Sequence, residues 1–151
     1  MNADFTTQQP ILLLAEDNIS HARLITRQFE EMEHPPRLIH FDNGRAVCDF
    51  LQEQLDKPES MKLIPDVMLI DLRLPKVDGL EILKWLQQEQ IYQTVPKVVL
   101  SSSQADQDIK TAYQLGAYSY LVKPISYPDL QSLIQDFSNY WILRNKAPQT
   151  I

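Results

Sequence analysis

Glycine is scarce in this chain: Gly44, Gly79 and Gly116 are the only three in 151 residues, and they lie 35 and 37 positions apart. Neither a Walker A loop nor a GxGxxG dinucleotide fingerprint can be written with them. Cysteine is scarcer still, since Cys48 stands alone. That excludes an intrachain disulfide and any multi-cysteine zinc site, and leaves Cys48 as a small apolar residue on a helix. The three histidines, His21, His34 and His40, make no HExxH. Basic charge is in deficit, with 14 Lys and Arg against 20 Asp and Glu and a net charge of −6. This is the wrong sign for gripping phosphate backbones, so nucleic acid is not an expected partner. Long apolar runs are missing as well, and the first ten residues, MNADFTTQQP, carry neither a Lys nor an Arg. No membrane span or signal peptide is expected, and the reading is of a cytoplasmic protein.

What is present is ordinary globular material, 44% hydrophobic and 23% charged, in a length that suits one domain. The apolar pattern alternates between short unbroken runs and longer stretches of helical period. Ile11 to Ala15 is an apolar run of the kind buried on both faces of a sheet. Helical spacing follows from Ile19 to about Met32 and is ended by His34-Pro35-Pro36. Arg37 to Phe41 reads as a second strand, Asn43-Gly44 as the turn into a second helix, and Asp56 to Lys62 as a polar surface loop. Asp66 to Asp71 is a third strand, and the helix after Gly79 runs to about Glu89. Lys97 to Ser101 is a fourth strand, and about Ala105 to Leu115 a fourth helix, stopped by Gly116 where a left-handed cap is usual. Ser119 to Val122 is a fifth strand. A last helix with Pro128 in its first turn and a stripe of Leu130, Leu133, Ile134, Phe137, Tyr140 and Trp141 is expected to reach about Arg144. Five strands alternating with five helices predict a doubly wound α/β domain over residues 10–145, with residues 1–9 a flexible N-terminus and 146–151 a tail.

In such a sheet ligands bind beyond the carboxyl ends of the strands, where strand order reverses. The polar residues there are Glu16 and Asp17 after strand one, Asp71 after strand three, Ser101, Ser102 and Ser103 after strand four, and Lys123 before Pro124 after strand five. In the flavodoxin-like order 2-1-3-4-5, three carboxylates converge beside a hydroxyl and an ammonium. Clustered carboxylates repel unless a cation neutralises them, and an all-oxygen set suits Mg²⁺. An Asp beside such a cation can attack phosphorus, with Lys and Ser sharing the charge of the transferred group. Asp71, central in the set, is the expected nucleophile. Each residue alone has a blander reading as a cap or turn former; the convergence of all of them on one sheet edge outweighs it.

These residues resemble the receiver domain of two-component response regulators, over about residues 10 to 142. The resemblance rests on Glu16-Asp17, the segment Asp71-Leu72-Arg73-Leu74-Pro75-Lys76-Val77-Asp78-Gly79, Ser101 fifteen residues before Gly116-Ala117, and Lys123-Pro124. The length is similar to that of the single-domain chemotaxis regulator. The Asp-Leu-x-Leu-Pro-x-x-Asp-Gly pattern and the extended loop before strand three also resemble the regulators that serve bacterial and cyanobacterial phytochrome kinases.

The resemblance implies that Asp71 takes a phosphoryl group from a histidine kinase. It implies that Asp17, Asp71 and the backbone carbonyl of Arg73 bind Mg²⁺ or Mn²⁺, with Glu16 acting mainly through water. Ser101 and Lys123 would hold the phosphoryl group, and Tyr120 would be the switch aromatic coupled to Ser101. Such a chain catalyses its own phosphorylation and slow dephosphorylation, not conventional turnover. Without an attached output module it would signal by changing contacts, and a homodimer through the fourth helix, fifth strand and fifth helix is the expectation. The chief alternative is a pseudo-receiver, a protein-binding module that works unphosphorylated. A haloacid-dehalogenase-type phosphohydrolase would need an Asp where Arg73 stands.

Overall fold

The computed structural model describes residues 9–146, so the expected flexible N-terminus and C-terminal tail lie, but for Gln9 and Lys146, outside the described residues. The strands are β1 (Ile11–Ala15), β2 (Arg37–Phe41), β3 (Val67–Ile70), β4 (Lys97–Ser101) and β5 (Ser119–Val122). All pair in parallel in the order β2-β1-β3-β4-β5. The helices α1 (Ile19–Glu30), α2 (Gly44–Asp56), α3 (Gly79–Gln87), α4 (Asp106–Gln114) and α5 (Tyr127–Phe137) cover both faces. The doubly wound α/β fold and its strand order are as read from the sequence.

Burial explains the strands. Every residue of β3 and β4 is buried, and Leu12 to Ala15 of β1 are too. Alternate side chains therefore fill two separate cores. On one face Leu13, Met68, Ile70 and Val99 meet Val47, Leu51, Ile82 and Leu83, with Trp85 packed against them. On the other, Leu12, Leu14, Leu69 and Val98 meet Ile25, Phe29, Ile134 and Phe137, with Trp141 at the margin.

Short polar side chains start the helices. Asn18, Asn43, Asp78 and Ser126 each accept from a backbone N–H three residues on, which satisfies a donor left free in the first turn. Because β1 and β3 end level, with Ala15 beside Ile70, the residues after them emerge together at one edge.

The fifth helix departs from expectation. Its α-helical part ends at Phe137, and Ser138–Ile142 is a π-helical turn, not a continuation to Arg144. The N–H groups of Leu143 and Asn145 donate five residues back, to Ser138 and Tyr140. The wider turn shifts the phase of the stripe: Trp141 and Ile142 stay half-buried, whereas Tyr140 and Leu143 are exposed. The first helix stops at Glu30, not Met32, and the third at Gln87, not Glu89; their last turns are closed by bonds to carbonyls three residues back. The third strand is bounded by Asp66 and Asp71 and contains neither.

Candidate functional site

Asp71 leaves the end of β3 buried, its backbone N–H donating to the Ala15 carbonyl across the sheet. Its two carboxylate oxygens have different partners. Oδ1 accepts from the Arg73 backbone N–H at 3.0 Å, and Oδ2 accepts from Lys123 Nζ at 2.8 Å. The same ammonium lies 2.7 Å from Glu16 Oε1 as an ion pair. Glu16 is almost wholly buried, and its other oxygen, Oε2, accepts from the Asn18 N–H. The approach of Lys123 to Oε1 is off the direction of a hydrogen bond, so that oxygen has a charge partner and no aligned donor. Asp17, next along, is exposed.

The electrostatics follow from this crowding. Burial pushes the Glu16 carboxyl above its ordinary range, the Lys123 contact opposes that, and Asp71 adds to it. Burial would lower the Lys123 ammonium, but its bond to Asp71, its contact with Glu16 and the charges of both outweigh burial, so the net direction is upward. Lys123 is held charged between two carboxylates in a site only 7% exposed at each of Lys123 and Asp71.

Glu16, Asp17 and Asp71 each offer an oxygen within 4.8 Å of the others. Three carboxylates, one of which has an oxygen lacking an aligned donor, form the hard donor set that a divalent cation such as Mg²⁺ or Mn²⁺ prefers. The residues present therefore fit such an ion. Arg73 supplies its N–H to Asp71 and sends its guanidinium outward, 3.4 Å from Asp108 Oδ2.

Ser101 is fully buried at the end of β4, its Oγ accepting from the Ser103 N–H at 3.2 Å. Tyr120 is half-buried against the core under α3, and its hydroxyl donates to the Ser103 carbonyl at 2.9 Å. Ser103 in turn donates its hydroxyl to Asp108 at 2.6 Å. Tyr120 is thus bonded to the loop that follows Ser101. The structure brings Glu16, Asp17, Asp71 and Lys123 into one cluster, with Arg73 in the loop after β3, Ser101 at the end of β4 and Tyr120 in β5.

Two contributors escaped sequence reasoning. His21 Nδ1 is 3.2 Å from Lys123 Nζ, although 102 residues separate them. Asp108 joins the Arg73 and Ser103 loops. For His21 the available signal was a histidine in the first turn after the acidic pair; for Asp108 there was none.

Comparison with known proteins agrees with this geometry. The family profile described as the response regulator receiver domain matches residues 12–135. The chain belongs to the response regulator receiver family. Among similar proteins is the probable methanogenesis regulatory protein FilR2 of Methanothrix harundinacea, 38% identical over 91% of this chain and 87% of that one. Another is response regulator Rcp1 of Synechocystis, 31% identical over 93% of this chain and 94% of that protein. The solved structure of the phosphorylated cyanobacterial phytochrome response regulator RcpA superposes with a TM-score of 0.86 at 26% identity, covering 94% of this chain and all of that one. Mn²⁺-bound Rcp1 superposes at 0.84 and 29% identity, covering 93% of this chain and 99% of that one. Receivers bind divalent metal and take phosphoryl groups from histidine kinases, and phytochrome regulators are among this receiver's relatives.

Proposed function

We infer that this receiver accepts a phosphoryl group from a histidine kinase on Asp71, in the presence of Mg²⁺, and signals through the change that follows. The observation that carries the reading is Lys123 held between Glu16 and Asp71 at the edge where Asp17 completes an acidic triad. A carboxylate oxygen of Asp71 forms the O–P bond as the N–P bond of the phosphohistidine breaks, and the imidazole leaves with the electron pair. Bound through Glu16, Asp17, Asp71 and the Arg73 carbonyl, the cation would offset negative charge on the phosphoryl oxygens. Lys123 pairs with one phosphoryl oxygen and the Ser101 hydroxyl donates to another. Movement of Ser101 toward the group draws on the Ser103 loop, to which Tyr120 is bonded, and so couples β4 to β5 and α4.

A phytochrome kinase is the proposed phosphodonor, supported by the likeness to RcpA and Rcp1. The proposed output is a homodimer through α4, β5 and α5, supported by the exposure of Tyr113, Tyr118 and Tyr140 on those elements or at their ends.

The test is the intact mass after incubation with acetyl phosphate and Mg²⁺. Wild type is expected to gain one phosphoryl group and Asp71→Asn none. No gain under conditions that modify a reference receiver would favour an unphosphorylated binding module. Light scattering of both forms then tests the dimer: a monomer at high concentration in each would reject it.

A further inference from the structure

Lys123 has three neighbours within hydrogen-bonding distance, and only two of them are charged: Glu16 Oε1 at 2.7 Å, Asp71 Oδ2 at 2.8 Å and His21 Nδ1 at 3.2 Å. We propose that His21 is a positioning residue for phosphoryl transfer, a neutral acceptor that holds the Lys123 ammonium in line with Asp71. The proposal rests on the reading of Asp71 as phosphoacceptor and adds a residue to that site.

The chemistry fixes which atom does what. An ammonium has donors and no acceptor, so Nδ1 must present its lone pair and the ring proton must sit on Nε2. Burial and then the neighbouring Lys123 charge lower the basicity of His21, outweighing Asp71 and Asp17, which agrees with a neutral ring.

Two contacts fix the residue, one at its backbone and one at its ring. The His21 N–H donates to Asn18 Oδ1 at 3.0 Å, so the cap of α1 sets its backbone. The ring stands edge-on to Tyr127, with centroids 6.1 Å apart and planes at 82°. Tyr127 opens α5 four residues after Lys123. The ring is therefore wedged between the helix that follows the acidic pair and the helix that follows the lysine.

A neutral acceptor suits this place better than a third carboxylate. Glu16 and Asp71 already offset the ammonium at rest, and another anion would leave less positive charge for the incoming group. When Asp71 becomes an acyl phosphate, one carboxylate partner is lost. His21 still occupies one N–H of Lys123 and leaves the others directed into the site. An apolar side chain there would leave that donor desolvated and unpaired, a cost on the order of one charge-assisted hydrogen bond.

The experiment compares wild type with His21→Asn, His21→Gln and His21→Ala. Phosphorylation by acetyl phosphate with Mg²⁺ is followed by intact mass, with Asp71→Asn as the blank. The Asn amide oxygen falls near the place of Nδ1, whereas the longer Gln reaches toward Nε2. His21→Ala and His21→Gln are expected to slow phosphorylation about tenfold, the equivalent of one such bond, and His21→Asn to stay within about twofold of wild type.

A second measurement observes the Lys123 ammonium directly by ¹⁵N-edited NMR. Its signal is expected to persist in wild type and His21→Asn and to shift or be lost to exchange in His21→Ala. Wild-type rates in His21→Ala, or equal slowing in Asn and Ala, would overturn the proposal. Should His21→Ala fail to fold, Asn against Gln decides. If wild type itself takes up no phosphoryl group, the reading of Asp71 fails, and the ammonium signal still judges the His21 contact.

Discussion

Lys97 is the least expected charged side chain in the molecule, a lysine 4% exposed in the first position of a central strand. Its ammonium donates to the Tyr92 carbonyl and lies 5.7 Å from the centre of the Tyr118 ring. Burial lowers it from 10.5 to about 8. Between about pH 8 and 10 the folded protein has given up this proton while the unfolded chain still holds it, so this group makes stability rise with pH there. From about pH 10 the Tyr92 phenol, pushed up by burial, works the other way, since only the unfolded chain ionises it readily. Lys97→Met is expected to stabilise the protein at pH 7 by on the order of 2 kcal/mol and to flatten the rise between pH 8 and 9.5. The Tyr92 carbonyl would keep the Val95 N–H as a partner. Urea denaturation at pH 7, 8.5 and 9.5 measures both effects; an unchanged slope would show that Lys97 is not the titrating group.

Among the elements, α2 ends without a glycine, and a lysine from the loop that follows does the capping. Lys62 Nζ donates to the carbonyls of Gln54, Leu55 and Lys57 at 2.8, 3.0 and 2.7 Å, and Gln54 Oε1 accepts from the Leu63 N–H. The loop before β3 is thereby tied to the helix. Lys62→Met is expected to cost about 1–3 kcal/mol in urea unfolding and to speed amide exchange in the 57–63 loop while α1 stays protected. The start of α3 packs instead on the backbone of the proposed phosphoacceptor. A Cβ added to Gly79 would lie 2.5 Å from the Asp71 carbonyl oxygen. Gly79→Ala must therefore push the helix off the β3 end, and the expected result is at least a tenfold fall in acetyl phosphate reactivity alongside lost stability.

These elements also show what periodicity can carry. The inner strands were legible because a strand buried on both faces is apolar throughout, the start of α2 because Asn43-Gly44 turns into it, and that of α5 because Pro128 suits a first turn. The π-turn was not, since Tyr140 and Trp141 continue a 3.6-residue stripe that only the register of backbone bonds interrupts. The acidic triad and Lys123 were legible because strand ends are. Contacts such as Lys123 with His21, or Lys62 with α2, depend on side chains that fold back from other loops.

For the whole molecule, the acidic edge sets a balance between an internal lysine and an external cation. A divalent ion that binds the folded triad must raise stability by mass action. Mg²⁺ at about ten times its dissociation constant is expected to add roughly 1.4 kcal/mol, or about 3–6 °C in melting temperature. The gain should vanish in Asp17→Asn, whose side chain is exposed and whose loss leaves both cores untouched. A gain that persists there would place the ion elsewhere.

The sheet also gives the molecule two optical labels. Of its two tryptophans, Trp85 packs against the core under α2 and α3, 6.2 Å from Tyr92, and Trp141 against the core under α1 and α5, 4.8 Å from Tyr140. Trp85→Phe and Trp141→Phe would each leave a single emitter on one side of the sheet. Their fluorescence melts should coincide if five strands shared by both cores make the two halves unfold as one. Separate midpoints would mean that one face loosens while the other holds, and would show which half yields first.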